Sequence, residues 1–118
     1  MYKIETRQGV FLITVSGFIK KEEADAFMRD YNAKVKLANP PQTNLILDGR
    51  NLATSSQDML PILEGCISMY IKDNFKKIYL VKIESALAMS QLKKLSENFM
   101  NKVVLVDSVE EAMGKLTF

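Results

Sequence analysis

Residues 47–60 read LDGRNLATSSQDML, and side chains able to do chemistry gather there more densely than elsewhere. Asp48, Arg50, Thr54, Ser55, Ser56 and Asp58 bring acids, a guanidinium and hydroxyls into one short stretch. Hydroxyls so placed accept phosphate, cap helices or close turns. Using one as a nucleophile needs a base, and the chain has no histidine. That removes Ser-His-Asp and Cys-His catalysis together. It also removes most zinc sites. There is no Gly-rich phosphate loop of Walker type and no cluster of metal ligands in the sequence. The expectation is therefore no catalytic residue, no metal and no cofactor.

Cys66 is the sole cysteine, so an intrachain disulfide is excluded and a reducing, cytoplasmic setting is expected. It falls in an apolar helical pattern and reads as a small buried hydrophobe. The 118 residues suit one domain spanning 1–118. The chain is 47% apolar and 25% charged, with net charge +2, a balance too even to imply nucleic acid. Lys20-Lys21, Lys76-Lys77 and Lys93-Lys94 are scattered pairs and read as solvated faces. Lys3, Glu5 and Arg7 break any early apolar run, so no signal peptide is expected. No apolar stretch approaches the roughly 20 residues of a membrane span.

The elements that must hold the 47–60 stretch follow from periodicity. YKIET (2–6) alternates as a strand, Gln8-Gly9 offers a tight turn, and VFLITVSG (10–17) is a second, nearly all-apolar strand. The short link makes them a hairpin. Ala24, Phe27, Met28, Tyr31 and Val35 form one apolar stripe, predicting helix one over about 20–37. Acids crowd its first turns and lysines its last, as the helix dipole favours. Asn39-Pro40-Pro41 stops it. NLILD (44–48) is a buried strand, helix two follows over about 58–73, and FKKIYLVKI (75–83) holds a fourth strand. Ser85 can cap helix three, with Ala88, Leu92, Leu95 and Phe99 on one face. VVLVD (103–107) is a fifth strand, and Ser108 with Glu111 makes a capping box for a fourth helix. The order β-β-α-β-α-β-α-β-α predicts an α/β fold. Its mixed, mostly parallel sheet has about five strands, opens with a hairpin and carries about four helices.

Pro61 sets the start of helix two. Proline is tolerated in a first turn, where its missing N–H has no partner to lose. A start near 57–59 satisfies this and makes Asp58 an N-cap candidate. Asp58 is also a permanent negative charge at a helix start. A phosphate on Ser55 or Ser56, the candidate phosphoacceptors, would add about −1.5 to −2 charge. It would repel Asp58 unless Arg50 or a partner compensated it. Helix two is apolar over more than one face. Met59, Ile67, Met69 and Tyr70 are candidates for an apolar interface, unless other elements cover them.

The order resembles the STAS domain of bacterial anti-sigma-factor antagonists across nearly the whole chain. VFLITVSGF (10–18) looks like that family's strand-then-Gly entry to helix one. NLILDGRNL (44–52) is similar to its strand-to-loop segment, and KVVLVDSVEEAMGKL (102–116) to its last strand and helix. The family carries Asp-Ser-Ser-Gly or Asp-Thr-Thr-Gly at the start of helix two, with the second hydroxyl phosphorylated by a partner kinase. Matched without gaps, this chain has Ser56, Gln57, Asp58 and Met59 there, which puts an acid where that hydroxyl stands. With a loop two residues shorter, Ser55 and Ser56 match the hydroxyl pair, Thr54 replaces the acid and Gln57 the glycine. Neither match supplies the glycine, so the usual kinase control is not expected.

The resemblance implies a non-catalytic regulatory module. It would bind a protein regulator, or a second copy as a homodimer, through the loop Asp48–Asp58 and helix two. The alternative is a SpoIIAA-like protein that holds a small apolar molecule or lipid between its helices. Asp48 and Lys82, both near strand ends, also invite comparison with response-regulator receivers. Those need an acidic pair after the first strand, where this chain has Arg7, Gln8 and Gly9. Asp48 then reads as a turn acid.

Overall fold

The computed structural model describes residues 1–7 and 9–116. Strands β1 (Tyr2–Arg7) and β2 (Val10–Val15) are antiparallel, from Tyr2 opposite Val15 to Arg7 opposite Val10. The expected turn at Gln8-Gly9 lies partly outside the described residues; Gly9 itself takes φ 73°, a conformation that favours glycine. The strands β3 (Asn44–Asp48), β4 (Lys77–Val81) and β5 (Val103–Val106) then add in parallel, giving the order β1-β2-β3-β4-β5.

This order decides where the helices go. Strands β2 to β5 lie side by side in chain order, so successive right-handed crossovers fall on one face. That face packs Phe11, Ile13, Leu45, Leu47, Ile78 and Leu80 against helices α1 (Lys21–Ala38) and α2 (Leu60–Lys72), and against Phe99. The alternate residues Val10, Leu12, Ile46, Tyr79, Val81 and Val106 point to the other face. There the last helix, α5 (Val109–Gly114), covers them with Ala112 fully buried.

The chain differs from the expected four helices at one place. Helix three is two helices, α3 (Ala86–Leu95) and α4 (Glu97–Lys102). Ser96 adopts φ −157°, ψ 102°, and its hydroxyl accepts from the Phe99 N–H at 3.1 Å. Serine competes for backbone groups and favours caps over helix interiors. Phe99 therefore keeps its buried position but reaches it from a new helix.

The two rims of the sheet differ. On β1, Glu5 lies 3.3 Å from Lys3 and 3.4 Å from Arg7, so that rim carries alternating charge. The lysine's hydrogen bond, then its charge and that of Arg7, hold the Glu5 carboxyl below its usual range. The β5 rim reads VVLV, with Leu105 43% exposed.

Candidate functional site

The chain leaves β2 and passes Gly17 at φ 70°. Gly17 also stitches two connections together. Its N–H donates to the Asn51 carbonyl at 3.0 Å, and its carbonyl accepts from the Ala53 N–H at 3.1 Å. The loop after β3 is thereby tied to the start of α1. On its other side, Gln91 of α3 takes hold of Ser55. The Ser55 N–H donates to Gln91 Oε1 at 2.9 Å, and Gln91 Nε2 donates to the Ser55 carbonyl at 2.9 Å. A side-chain amide here supplies both halves of one strand-like rung. Residues 49–56 form a strap held at both flanks.

Between the strap and the start of α1 lies a groove of about 460 Å³. Thr54, Ser55, Ser56 and Asp58 form one wall. Phe18, Lys20 and Lys21 face them from the other, and Phe18 is 73% exposed. The sequence reading found the first wall and missed the second. The missed signal was Gly17, since a glycine required at positive φ marks a place where the chain turns to meet something.

Asp48 and Arg50 do not join this groove. The Arg50 N–H donates to Asp48 Oδ1 at 3.3 Å, the turn role expected of that acid. The cations facing the hydroxyls are Lys20 and Lys21, not the expected Arg50. Lys82 is exposed, and its N–H donates to the Val106 carbonyl at 2.9 Å, continuing the strand pairing.

Asp58 is not the N-cap. It sits inside a one-turn 3-10 helix, Gln57–Met59, that runs into α2, and neither helix start has a side-chain cap bond. The reason lies in Pro61. Were Asp58 the cap, the third helical residue would be Pro61, which has no N–H to give. The Leu60 N–H is already taken by the Gln57 carbonyl, and the Met59 N–H by the Ser56 carbonyl at 3.0 Å. Backbone bonds satisfy the helix start, and the Ser56 and Asp58 side chains are exposed in the groove. By contrast Ser85 and Ser108 cap as expected, accepting from the Ala88 and Glu111 N–H groups at 3.1 and 3.0 Å. Glu111 reaches back to the Asp107 N–H at 2.8 Å, one residue before the position of a standard capping box. Ser108→Ala should therefore cost about 1 kcal/mol in urea unfolding. Asp58→Ala should cost no more than about 0.5 kcal/mol. Equal losses would mean that Asp58 is structural after all.

Helix α2 is largely covered. Met59, Ile67 and Tyr70 are buried, so three of the four expected interface residues face inward, and Met69 is half-buried. The apolar excess is explained by packing on both sides, against the sheet and against α1 and α4. Cys66 is buried as expected, with its thiol 3.6 Å from Met28 Sδ. Burial pushes the thiol up to about 11. Among the described residues no group of acids and cysteine is arranged to hold a metal ion. No helix among them is long and apolar enough to cross a membrane.

The fold is the SpoIIAA-like fold of anti-sigma-factor antagonists. The chain is similar to the Bacillus cell fate determinant SpoIIAA in its phosphorylated form, with TM-score 0.67 and 10% identity over 99% of this chain and 100% of that one. Against the unphosphorylated form the TM-score is 0.68 at 9% identity, with the same coverage. An anti-sigma factor antagonist from Mycobacterium paratuberculosis gives 0.62 at 20% identity, over 97% of this chain and 91% of that one. No protein-family model and no curated protein sequence matches. At such identities the likeness establishes the architecture, and the groove's role rests on its own chemistry.

Proposed function

We propose that this chain is a non-catalytic regulatory module that receives a protein partner in the groove between Phe18–Lys21 and Thr54–Asp58. The observation that carries this reading is the composition of the groove. An exposed phenylalanine, a lysine pair, three hydroxyls and two acids, Glu22 and an Asp58 released from capping, converge on one concavity. Aromatic anchors carry much of the energy of protein interfaces, and charges of both signs around them set specificity. The antagonist fold supports the same class of role. In this reading Asp58 is a fixed charge where relatives carry a switchable hydroxyl, and control by serine phosphorylation is absent. The partner is a regulator or a second copy of the chain, the setting is cytoplasmic, and nucleic acid takes no part.

The test is affinity purification from the source cell with wild-type, Phe18→Ala and Asp58→Arg proteins, beside light scattering of each. Both substitutions lie on exposed side chains and should leave the circular dichroism unchanged. A specific partner, or the dimer, should be lost at least tenfold in each variant. A partner retained equally by both folded variants would overturn the groove as its site. An intact mass raised by one phosphate on Ser55 or Ser56 would overturn the fixed-charge reading.

A further inference from the structure

Beneath the strap lies a second space, an apolar pocket of about 130 Å³ between the sheet and the helices that is part-open to solvent. Its floor is Ile13, Leu47 and Leu80, and its walls include Phe27, Ile67 and Leu92. The small side chains of Ala24 and Ala88 leave the space that larger residues would fill. Much of its polar margin is already engaged. Ser55 and Gln91 bind each other through the Ser55 backbone and the Gln91 amide. Glu23 is 2.8 Å from the Met1 ammonium. Burial keeps the Cys66 thiol neutral. Water needs two to four polar partners to be held inside a protein, and apolar cavities of this size instead stay dry and admit benzene or xenon. An empty apolar cavity also forfeits dispersion contacts that an occupant restores.

We propose that this cavity is a binding site for a compact, neutral, apolar molecule of about benzene size, with the strap 49–56 as its cover. The volume decides against a lipid, since sites for larger ligands span roughly 300–1,000 Å³. The assignment stands whether or not the groove receives a protein, because it depends on the interior alone. Wider access comes from the α3 side of the strap, where opening breaks the Gln91 rung and leaves the Gly17 bonds to Asn51 and Ala53 in place.

The experiment uses the full chain with benzene and with n-decane as probes, followed by methyl NMR and thermal unfolding. Benzene should shift the Ala24 and Ala88 methyl resonances and the Ser55 amide saturably, and raise Tm by a few degrees. Decane should do neither. Ala88→Leu fills the space and should abolish the benzene response while remaining folded; Ala24→Val serves as a milder second variant. Absence of a saturable methyl shift in the wild type would overturn the proposal. So would an undiminished response in either folded variant, or decane binding as tightly as benzene.

Discussion

Phe11→Ala should lower stability by about 3–5 kcal/mol, a large share of the roughly 5–15 kcal/mol that holds a small domain together. Phe11 is fully buried on the interior strand β2. Its ring lies 5.7 Å from Tyr31 in a stacked arrangement and 5.8 Å from Phe75. Tyr31 in turn meets Tyr70 edge-on at 5.5 Å and donates its hydroxyl to Asp73 at 2.6 Å. One ring thus braces α1, the end of α2 and the sheet at once. Its removal costs the transfer of the ring, the cavity left behind and part of two ring contacts. Phe18→Ala is the built-in control, because that phenylalanine stands in solvent. Its loss should change stability by less than about 0.5 kcal/mol. Urea unfolding of both variants decides the matter. A loss below about 1 kcal/mol for Phe11→Ala would contradict the packing described, on the usual scale for buried aromatics.

Alkali should weaken the fold in a way traceable to single groups. The Cys66 thiol is raised by burial from an ordinary 9.0 to about 11. Tyr31 is raised by burial, then by its bond to Asp73, and Tyr70 well above its usual value by burial. Below pH 9 the thiol is protonated in both folded and unfolded chains, and its contribution is fully present. As pH climbs from about 9 towards 11, the unfolded thiol ionises first and the folded one holds its proton. The unfolded state then binds fewer protons, so stability falls with rising pH. The tyrosines add to the decline above pH 10. The cysteine's share is on the order of 2 kcal/mol by pH 11. Urea midpoints measured at pH 8, 9.5 and 11 check this. Cys66→Ala should remove most of the decline between pH 9 and 10 and reduce the later part to what the tyrosines contribute. A midpoint independent of pH across this range would show that the thiol titrates freely in the folded state.

The parts of this molecule that were legible in sequence are those governed by local pattern. The hairpin, the alternation of strands and helices, and the stops at Asn39-Pro40-Pro41 depend on residues near one another. The break at Ser96 was hidden because Phe99 completes the apolar face either way. Periodicity marks which side chains are buried and does not show whether the backbone between them is continuous. The position of Asp58 failed for a related reason. Pro61 correctly located the helix start, but the same proline removed the donor that a cap at Asp58 would have used. The second wall of the groove, signalled only by Gly17, and the Gln91 clamp were not placed because they arise from tertiary meeting. Gly17 joins the strap across the β2–β3 crossover, and Gln91 reaches it from α3. Whether the apolar surplus of α2 faced a partner or a neighbouring layer stayed open in the sequence, because an apolar helix caught between two layers has the same composition as one that is exposed.

The unlike rims of the sheet bear on how copies of this chain treat one another in a crowded cell. At β1 an incoming strand meets alternating lysine, glutamate and arginine, which must shed water and rearrange before any backbone pairing begins. At β5, the last strand of the sheet, it meets four aliphatic residues and one leucine already turned outward. Accidental encounters are therefore sorted by direction, and unplanned assembly would grow from the C-terminal side of the sheet. The brevity of β5 limits how far it could run.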